Sequence, residues 1–234
     1  MLQILPSSSL ASILDNYWSS VTSDSALPWR IAIGGAILAA LAVHDLARNG
    51  RRATRWREYA FLVAAMGLAM VYGVANDLIT SRISWEYFYY GKGLSDTLGP
   101  GPPDPLVLRL SAMVIGIKAT WTMGLIIGVV LLVANNPFRN FPRLAFPQLQ
   151  RLLLLIAIVA IASSVVFGIA GYFGHLAWVS DDFVWMLRRN EMRPHRFMAV
   201  FGVHLGGYIG GGLGLLIAVL NIALHRRAGS LISR

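Results

Sequence analysis

The class of fold is decided by residues 197–224, FMAVFGVHLGGYIGGGLGLLIAVLNIAL. This stretch contains no Asp, Glu, Lys or Arg, and it exceeds the ~20 residues that a helix needs to cross a hydrocarbon core of ~30 Å. Four other long apolar stretches precede it. We therefore predict an all-α integral membrane protein, a bundle of about five transmembrane helices with spans at about 29–46, 59–80, 106–134, 152–173 and 197–224.

The composition supports a lipid environment for most of the chain. Charged residues make up 13% of the 234 residues, against ~25% in soluble domains, and hydrophobic residues make up 56%. A net charge of +9 would suggest nucleic acid in a soluble protein, but here the arginines lie in short connectors, so we expect no nucleic-acid partner. The absence of cysteine excludes disulfides, iron–sulfur clusters and thiol nucleophiles.

The charges of the connectors predict the orientation. Arginines predominate in the first connector, the third connector and the C-terminal tail, whereas the N-terminal region and the second connector are more acidic. Because basic residues remain on the cytoplasmic side, we expect the N-terminus outside and the C-terminus in the cytoplasm. The predicted organisation is an interfacial segment at 1–28, a single helical bundle at 29–225 and a basic cytoplasmic tail at 226–234.

Small residues recur at four-residue spacing, the pattern that lets membrane helices approach closely. The glycines predicted to pack helices are Gly116, Gly124, Gly128, Gly202, Gly206, Gly210 and Gly214. A second row, Gly207 and Gly211, predicts that the last helix is contacted closely on two sides. The alternative is that glycine is simply common in membrane helices.

Polar residues within or beside the predicted spans are the candidate functional residues, because ionisable groups in hydrocarbon are costly. Lys118 is the deepest charge, and Asp77 is its natural partner because it continues the small-residue face of the second span. An interfacial cluster that ends the helix is the alternative. The predicted binding or ion-pair cluster comprises Asn76, Asp77, Glu86, Lys118, Arg196, His204 and Tyr208.

Three histidines, His175, His195 and His204, are predicted near one side of the membrane. Two of them on neighbouring helices would suit a metal or haem, but no compact metal motif is present. The glycine run at 206–214 lacks the preceding strand of a nucleotide-binding loop, and no catalytic signature is found. We therefore predict no metal, no cofactor and no catalytic residue.

Three segments together show a family pattern: VYGVANDLITSRISWEYF at 71–88, GIKATWTMGLIIG at 116–128 and RPHRFMAVFGVHLGGYIGG at 193–211. The chain from residue 59 onward resembles a group of uncharacterised bacterial multi-pass membrane proteins with an ND…I…EYF segment and a glycine-rich last helix bearing Arg and His. The first predicted span departs from the shorter members. The resemblance implies the bacterial inner membrane as the location, and it implies no activity.

The sequence leaves three classes of function open. The first is handling of an ion or small solute through the polar cluster in the outer half of the bundle. The second is an accessory subunit of a larger membrane complex, with the bilayer and other subunits or further copies of the chain as partners. The third is an outward-facing membrane enzyme, which is favoured least.

Overall fold

The computed structural model describes residues 27–136, 143–176 and 193–232, with side chains described up to residue 227. Within these ranges the chain is helical and has no strand. The five long helices are α1 (Leu27–Asn49), α2 (Arg55–Ile83), α3 (Pro105–Ala134), α4 (Phe146–Tyr172) and α5 (Pro194–Ile232). Residues 1–26 of the predicted interfacial segment lie outside the described residues.

All five helices are long and apolar enough to cross a membrane, which indicates a multi-pass membrane protein. The predicted helical class and the number of spans are therefore confirmed. The ends of the helices differ from the predicted ends. Helix α1 was predicted over 29–46, but it extends over Leu27–Asn49, which is 23 residues or about 34 Å at 1.5 Å per residue. Helix α5 continues to Ile232, through most of the predicted tail. Hydropathy locates only the apolar part of a helix, and arginine favours helix beyond it.

Capping residues determine where two of the helices begin. Asp104 accepts hydrogen bonds from the backbone amides of Leu106 (2.8 Å) and Val107 (3.1 Å), and Pro105 occupies the first turn of α3. At α4 the side chain of Gln148 accepts a hydrogen bond from the amide of Ala145 over 2.9 Å. These bonds satisfy amides that have no partner within their helix.

Glycines bring the long helices together in two pairs. In the α2–α3 pair, a Cβ on Gly116 would lie 2.5 Å from the carbonyl oxygen of Gly73. In the α4–α5 pair, a Cβ on Gly202 would overlap the Phe167 carbonyl, and one on Gly210 would lie 2.6 Å from the Cβ of Ser163. The glycines predicted to pack helices therefore lie at backbone contacts, where side chains would hold the helices apart.

The second glycine row of α5 makes the predicted close contact at Gly207 but not at Gly211. A Cβ on Gly207 would meet the hydroxyl of Tyr72, but a Cβ on Gly211 or Gly212 would have nothing within 4 Å. Helix α5 is thus packed tightly against α4, and its other face borders open space. Periodicity shows that residues share a face, but it does not show what the face meets.

Buried side chains join the two pairs at both ends of the bundle. One cluster includes Tyr87, Phe88, Leu108, Phe197 and Val200. The other, near the opposite helix ends, includes Phe61, Leu131, Leu149, Ala218 and Ile222. Between the clusters many of the facing residues are glycine or alanine, and the helices leave a cavity there. At the second end, Arg226 of α5 also donates a hydrogen bond to the carbonyl of Ala134 at the end of α3.

Helix α1 lies at the edge of the bundle and packs against α2. Asp45, near the end of α1, is buried and joins the two helices. Its carboxylate accepts hydrogen bonds from Asn49 (2.7 Å) and from the amide of Trp56 (3.1 Å) at the start of α2. Most of the apolar surface of α1, including Trp29, Ile33 and Ile37, remains exposed in the single chain.

Candidate functional site

The cavity between the two helix pairs is the candidate site. Its volume is about 340 Å³, and α2, α3, α4 and α5 all contribute to its wall. Ligand pockets in proteins range over ~300–1,000 Å³, so the space is sufficient for a small molecule. The wall is apolar except at one end, where several polar side chains meet.

Asp77 and His204 form the centre of the polar end. Asp77 lies less than two turns before the end of α2, and His204 comes from the first half of α5. The Nε2 atom of His204 is 3.7 Å from Oδ1 of Asp77, and both side chains are nearly buried, at 11% and 4% exposed. The two helix pairs thus each supply one member of an ionisable pair that faces the cavity.

Aromatic rings hold the imidazole of His204 in place. The ring of Tyr87 stacks on it, with centroids 4.9 Å apart and an interplanar angle of 16°, and Phe88 meets its edge at 5.9 Å. Both rings belong to a π-helical turn, Tyr87–Gly91, in the connector between α2 and α3. The connector therefore folds back over the end of the cavity and excludes water from the pair.

The same connector brings Lys92 to the cavity wall. Its ammonium lies 5.5 Å from the centroid of the Tyr87 ring, and the side chain is buried. Burial lowers the pKa of Lys92 from 10.5 to about 8, although the nearby carboxylate of Asp77 acts in the opposite direction. The polar end therefore contains one carboxylate, one amine and one imidazole in a largely dry environment.

Neutral polar groups complete this end. The side-chain amide of Asn76 donates a hydrogen bond to Oδ1 of Asp77 over 3.3 Å. The hydroxyls of Tyr72 and Ser164 are 3.0 Å apart and connect α2 to α4. Thr120 also lines the cavity, and its hydroxyl donates to the carbonyl of Gly116. Hydrogen-bonding groups therefore come from both helix pairs.

One nitrogen at this end lacks a hydrogen bond. The Nε2 atom of His204 is buried, and it has no hydrogen-bond partner in the part of the chain that the structure describes. Its distance of 3.7 Å from Asp77 exceeds that of a hydrogen bond. Buried polar atoms are nearly always satisfied in folded proteins, so a polar ligand atom beside these two groups would account for the arrangement.

The structure brings together four of the seven residues predicted for the cluster: Asn76, Asp77, His204 and Tyr208 line the cavity. The other three, Glu86, Lys118 and Arg196, are absent from its lining. Asp77 lies against His204 and near Lys92, and its pairing with Lys118 stays a prediction. Helix α3 packs Gly116 against α2, and position 118 lies on another face of the helix.

Glu86 and Arg196 occupy other surroundings. Glu86 is buried in the connector, where it accepts a hydrogen bond from the hydroxyl of Ser84 over 2.8 Å. Arg196 is exposed near the start of α5. Glu86 thus immediately precedes the π-helical turn Tyr87–Gly91 and does not line the cavity.

Sequence reasoning missed Lys92 and Tyr72. Lys92 lies shortly after the aromatic run YFYY, in a connector with several acidic residues. An isolated lysine in this position could have been recognised as a candidate binding residue. Tyr72 precedes a glycine of the packing face by one residue. Its contact with Ser164 requires two helix pairs to meet, which no local pattern encodes.

The histidines do not assemble into a metal site among the described residues, where no group of three potential ligands is found. The imidazole of His195 lies 3.0 Å from the carbonyl of Tyr172, which ties the start of α5 to the end of α4. The only acidic side chain that lines the cavity in the described ranges is Asp77.

The five apolar helices and the enclosed polar end define the class, a multi-pass membrane protein with a cavity in its helical bundle. Comparisons of the chain with protein-family models, with curated proteins and with solved structures find no match. The resemblance to a bacterial membrane-protein group therefore stays a prediction.

Proposed function

We propose that the protein handles a small solute, which it binds at the polar end of the cavity. The observation that carries this proposal is the Asp77–His204 pair, buried between two helix pairs and facing an enclosed space. Ionisable groups within membrane spans are expensive to bury. A pair that served stability alone could be replaced by apolar residues at little cost, so its position on a cavity wall favours a role in binding.

The proposed orientation places the polar end toward the outside of the cell. Arginines cluster at the opposite helix ends, in the α1–α2 connector and at Arg226 and Arg227 of α5. The positive-inside rule assigns those ends to the cytoplasm. We further propose the inner membrane of a bacterium as the location, as the sequence resemblance implies.

Mass spectrometry of co-purified small molecules tests this function. The protein is reconstituted in nanodiscs directly from the native membrane, and the wild type is compared with Asp77→Asn. We expect a small molecule that is retained by the wild type and depleted at least about tenfold in Asp77→Asn, corresponding to ~1.4 kcal/mol of lost binding. Glu86→Gln is the matched control, because Glu86 is a buried carboxylate outside the cavity lining.

Equal small-molecule content in all three proteins would refute the solute-binding proposal. The same preparations address the accessory-subunit alternative, because partner proteins remain in the nanodisc. A stoichiometric partner protein together with unchanged small-molecule content would favour that alternative.

A further inference from the structure

We propose that the ligand is a single-chain amphiphile that enters the cavity sideways from the bilayer, with a small uncharged hydrogen-bonding head at the polar end. This inference rests on the proposed solute-binding function and specifies its ligand. It depends on three observations: the division of the cavity into polar and apolar parts, the location of its opening, and the balance of charge at the polar end.

The cavity is much longer than its polar end. Along α2 its lining extends from Asp77 to Ala65, a distance of about 18 Å at 1.5 Å per residue. Away from the polar end the side chains of the wall are apolar: Leu68, Met123, Ile127, Leu153, Ile156 and Leu215. A compact polar solute would leave this part unused, whereas an apolar chain would fill it and bury its surface favourably.

The opening lies between α3 and α5 on the apolar part. Among the cavity-lining residues that the structure describes, the exposed ones are Met123 and Ile126 on α3 and Tyr208 and Gly212 on α5. The first three have 46%, 48% and 44% of their surface accessible. All four lie in the middle portions of their helices, so the opening faces the acyl chains of the bilayer.

The closure of the polar end supports this route. The connector residues Tyr87 and Phe88 are buried over His204, and they separate the pair from the aqueous side. A ligand that enters through the lateral opening needs no displacement of this aromatic cover. Its chain would remain in apolar surroundings during entry.

The charges at the polar end favour an uncharged head. The carboxyl of Asp77 and the amine of Lys92 carry opposite charges when ionised and then offset each other, so a charged head would add an uncompensated charge to a buried site. A hydroxyl group can donate to the carboxylate of Asp77 and accept from the amide of Asn76 or from a protonated nitrogen of His204 or Lys92. Because Asp77 and His204 are only 3.7 Å apart, a hydroxyl beside the pair would be within reach of both side chains.

The size of the cavity favours one chain. A volume of about 340 Å³ is near the lower limit of ligand pockets, which excludes full enclosure of a two-chain phospholipid. Both a monoacylglycerol and an isoprenoid alcohol carry the required chemistry, a hydroxyl-bearing head on one apolar chain. In the experiment below the two compounds are added as separate competitors, and the one that displaces the probe at the lower concentration identifies the source.

Photoaffinity labelling tests the inference. The full chain, in phosphatidylcholine nanodiscs, is exposed to a long-chain primary alcohol that carries a diazirine within its chain, and the labelled residues are identified by mass spectrometry. We expect labelling at the apolar wall, such as Ile127 and Leu215, and displacement by unlabelled monoacylglycerol or isoprenoid alcohol. Long-chain carboxylate and ammonium probes are expected to label these residues more weakly than the alcohol.

Gly211→Leu is designed to block the cavity, because Gly211 lines it and the leucine side chain would occupy part of its volume. A Cβ at position 211 has no atom within 4 Å, so the change itself causes no clash at this atom. We expect labelling of the wall to fall about tenfold or more, which corresponds to ~1.4 kcal/mol. Gly67→Leu is the matched control: its Cβ also has nothing within 4 Å, but Gly67 does not line the cavity. Thermal unfolding of each variant verifies the fold, and Gly212→Leu replaces Gly211→Leu if that protein is unstable.

Equal labelling of the wall in wild type and Gly211→Leu, labelling spread over all lipid-facing residues, or stronger labelling by a charged probe would each overturn the inference. If the alcohol fails while an Asp77-dependent small molecule is still retained, the ligand is water-soluble and only the amphiphile inference falls. If Asp77→Asn also changes nothing, the solute-binding function falls with it.

Discussion

At the scale of single residues, the polar end shows how a membrane bundle accommodates ionisable side chains. Asp77 and His204 come from opposite helix pairs, while Lys92 comes from a connector, and the carboxylate of Asp77 compensates part of the desolvation of Lys92. The aromatic stack of Tyr87 on His204 limits access of water. The site therefore depends on an accurate meeting of three separate elements, and small displacements would leave a buried group uncompensated.

The pH dependence of stability should report the burial of Lys92. Its pKa is lowered to about 8 in the folded protein, so the unfolded state binds more protons between about pH 8 and 10.5. The folded state should therefore gain stability as the pH rises through this window, by at most roughly 3 kcal/mol. Thermal unfolding in detergent from pH 7.5 to 10 should show a rising midpoint for the wild type.

Lys92→Met supplies the comparison, because it keeps a long apolar stem and removes the titrating amine. The difference in midpoint between wild type and Lys92→Met should shrink as the pH rises toward 10. A difference that stays constant over this range would show that the amine of Lys92 is not buried at a cost in the folded protein.

At the scale of elements, glycines divide α5 into two functionally different faces. Gly202, Gly206 and Gly210 allow its backbone to touch α4, whereas Gly211 and Gly212 border the cavity. A glycine costs about 0.5–1 kcal/mol relative to alanine in a helix interior of a soluble protein, and close packing offsets this on the first face. On the second face the missing side chains are what leaves room for the cavity.

A pair of identical substitutions on α5 should separate these two faces. Gly210→Leu would force its side chain against Ser163 and the Val159 carbonyl, whereas Gly212→Leu would meet nothing within 4 Å of its Cβ. We expect Gly210→Leu to lose at least roughly 1–3 kcal/mol, as overpacked cores do, and Gly212→Leu to stay near the wild type. Thermal unfolding of the two proteins in the same detergent measures the difference.

Each variant is the control for the other, because both changes add the same side chain to the same helix two residues apart. Equal midpoints for Gly210→Leu and Gly212→Leu would contradict the assignment of the first face to tight packing.

At the scale of the whole molecule, two tightly packed helix pairs are joined at their ends and separated in their middle. Helices α2 and α3 form one pair, and α4 and α5 form the other. Buried clusters connect the pairs at both ends of the bundle, and the cavity lies between these clusters. Relative movement of the two pairs is the simplest way in which the lateral opening could change its width.

The orientation of the whole molecule can be measured with single cysteines, because the chain has none of its own. Thr54 is exposed in the α1–α2 connector, and Thr97 is exposed in the α2–α3 connector. Five spans with the N-terminus outside place the first position in the cytoplasm and the second outside. In intact cells, a membrane-impermeant maleimide should label Thr97→Cys and leave Thr54→Cys unlabelled.

Permeabilised cells provide the control, since both cysteines should react once the reagent reaches both sides. Labelling of Thr54→Cys in intact cells, with Thr97→Cys protected, would reverse the orientation and place the polar end of the cavity toward the cytoplasm.

The sequence by itself determined the five membrane-spanning helices and the glycines at which helices approach. Both follow from local constraints: a span must be long and apolar, and close backbone contact requires residues without bulky side chains. The sequence also indicated Asp77 and His204 as candidate functional residues, because polar residues stand out within long apolar stretches. The charge pattern of the connectors predicts an orientation, which the labelling experiment would decide.

Only the tertiary structure decided which of these residues meet. His204 meets Asp77 because the rotation of each helix is set by the packing of its glycine face against a neighbour. Lys92 reaches the cavity because a π-helical turn folds the connector inward, and hydropathy carries no information on such a turn. The cavity itself arises from the spacing of two helix pairs, a property of the assembled bundle that no single stretch of sequence contains.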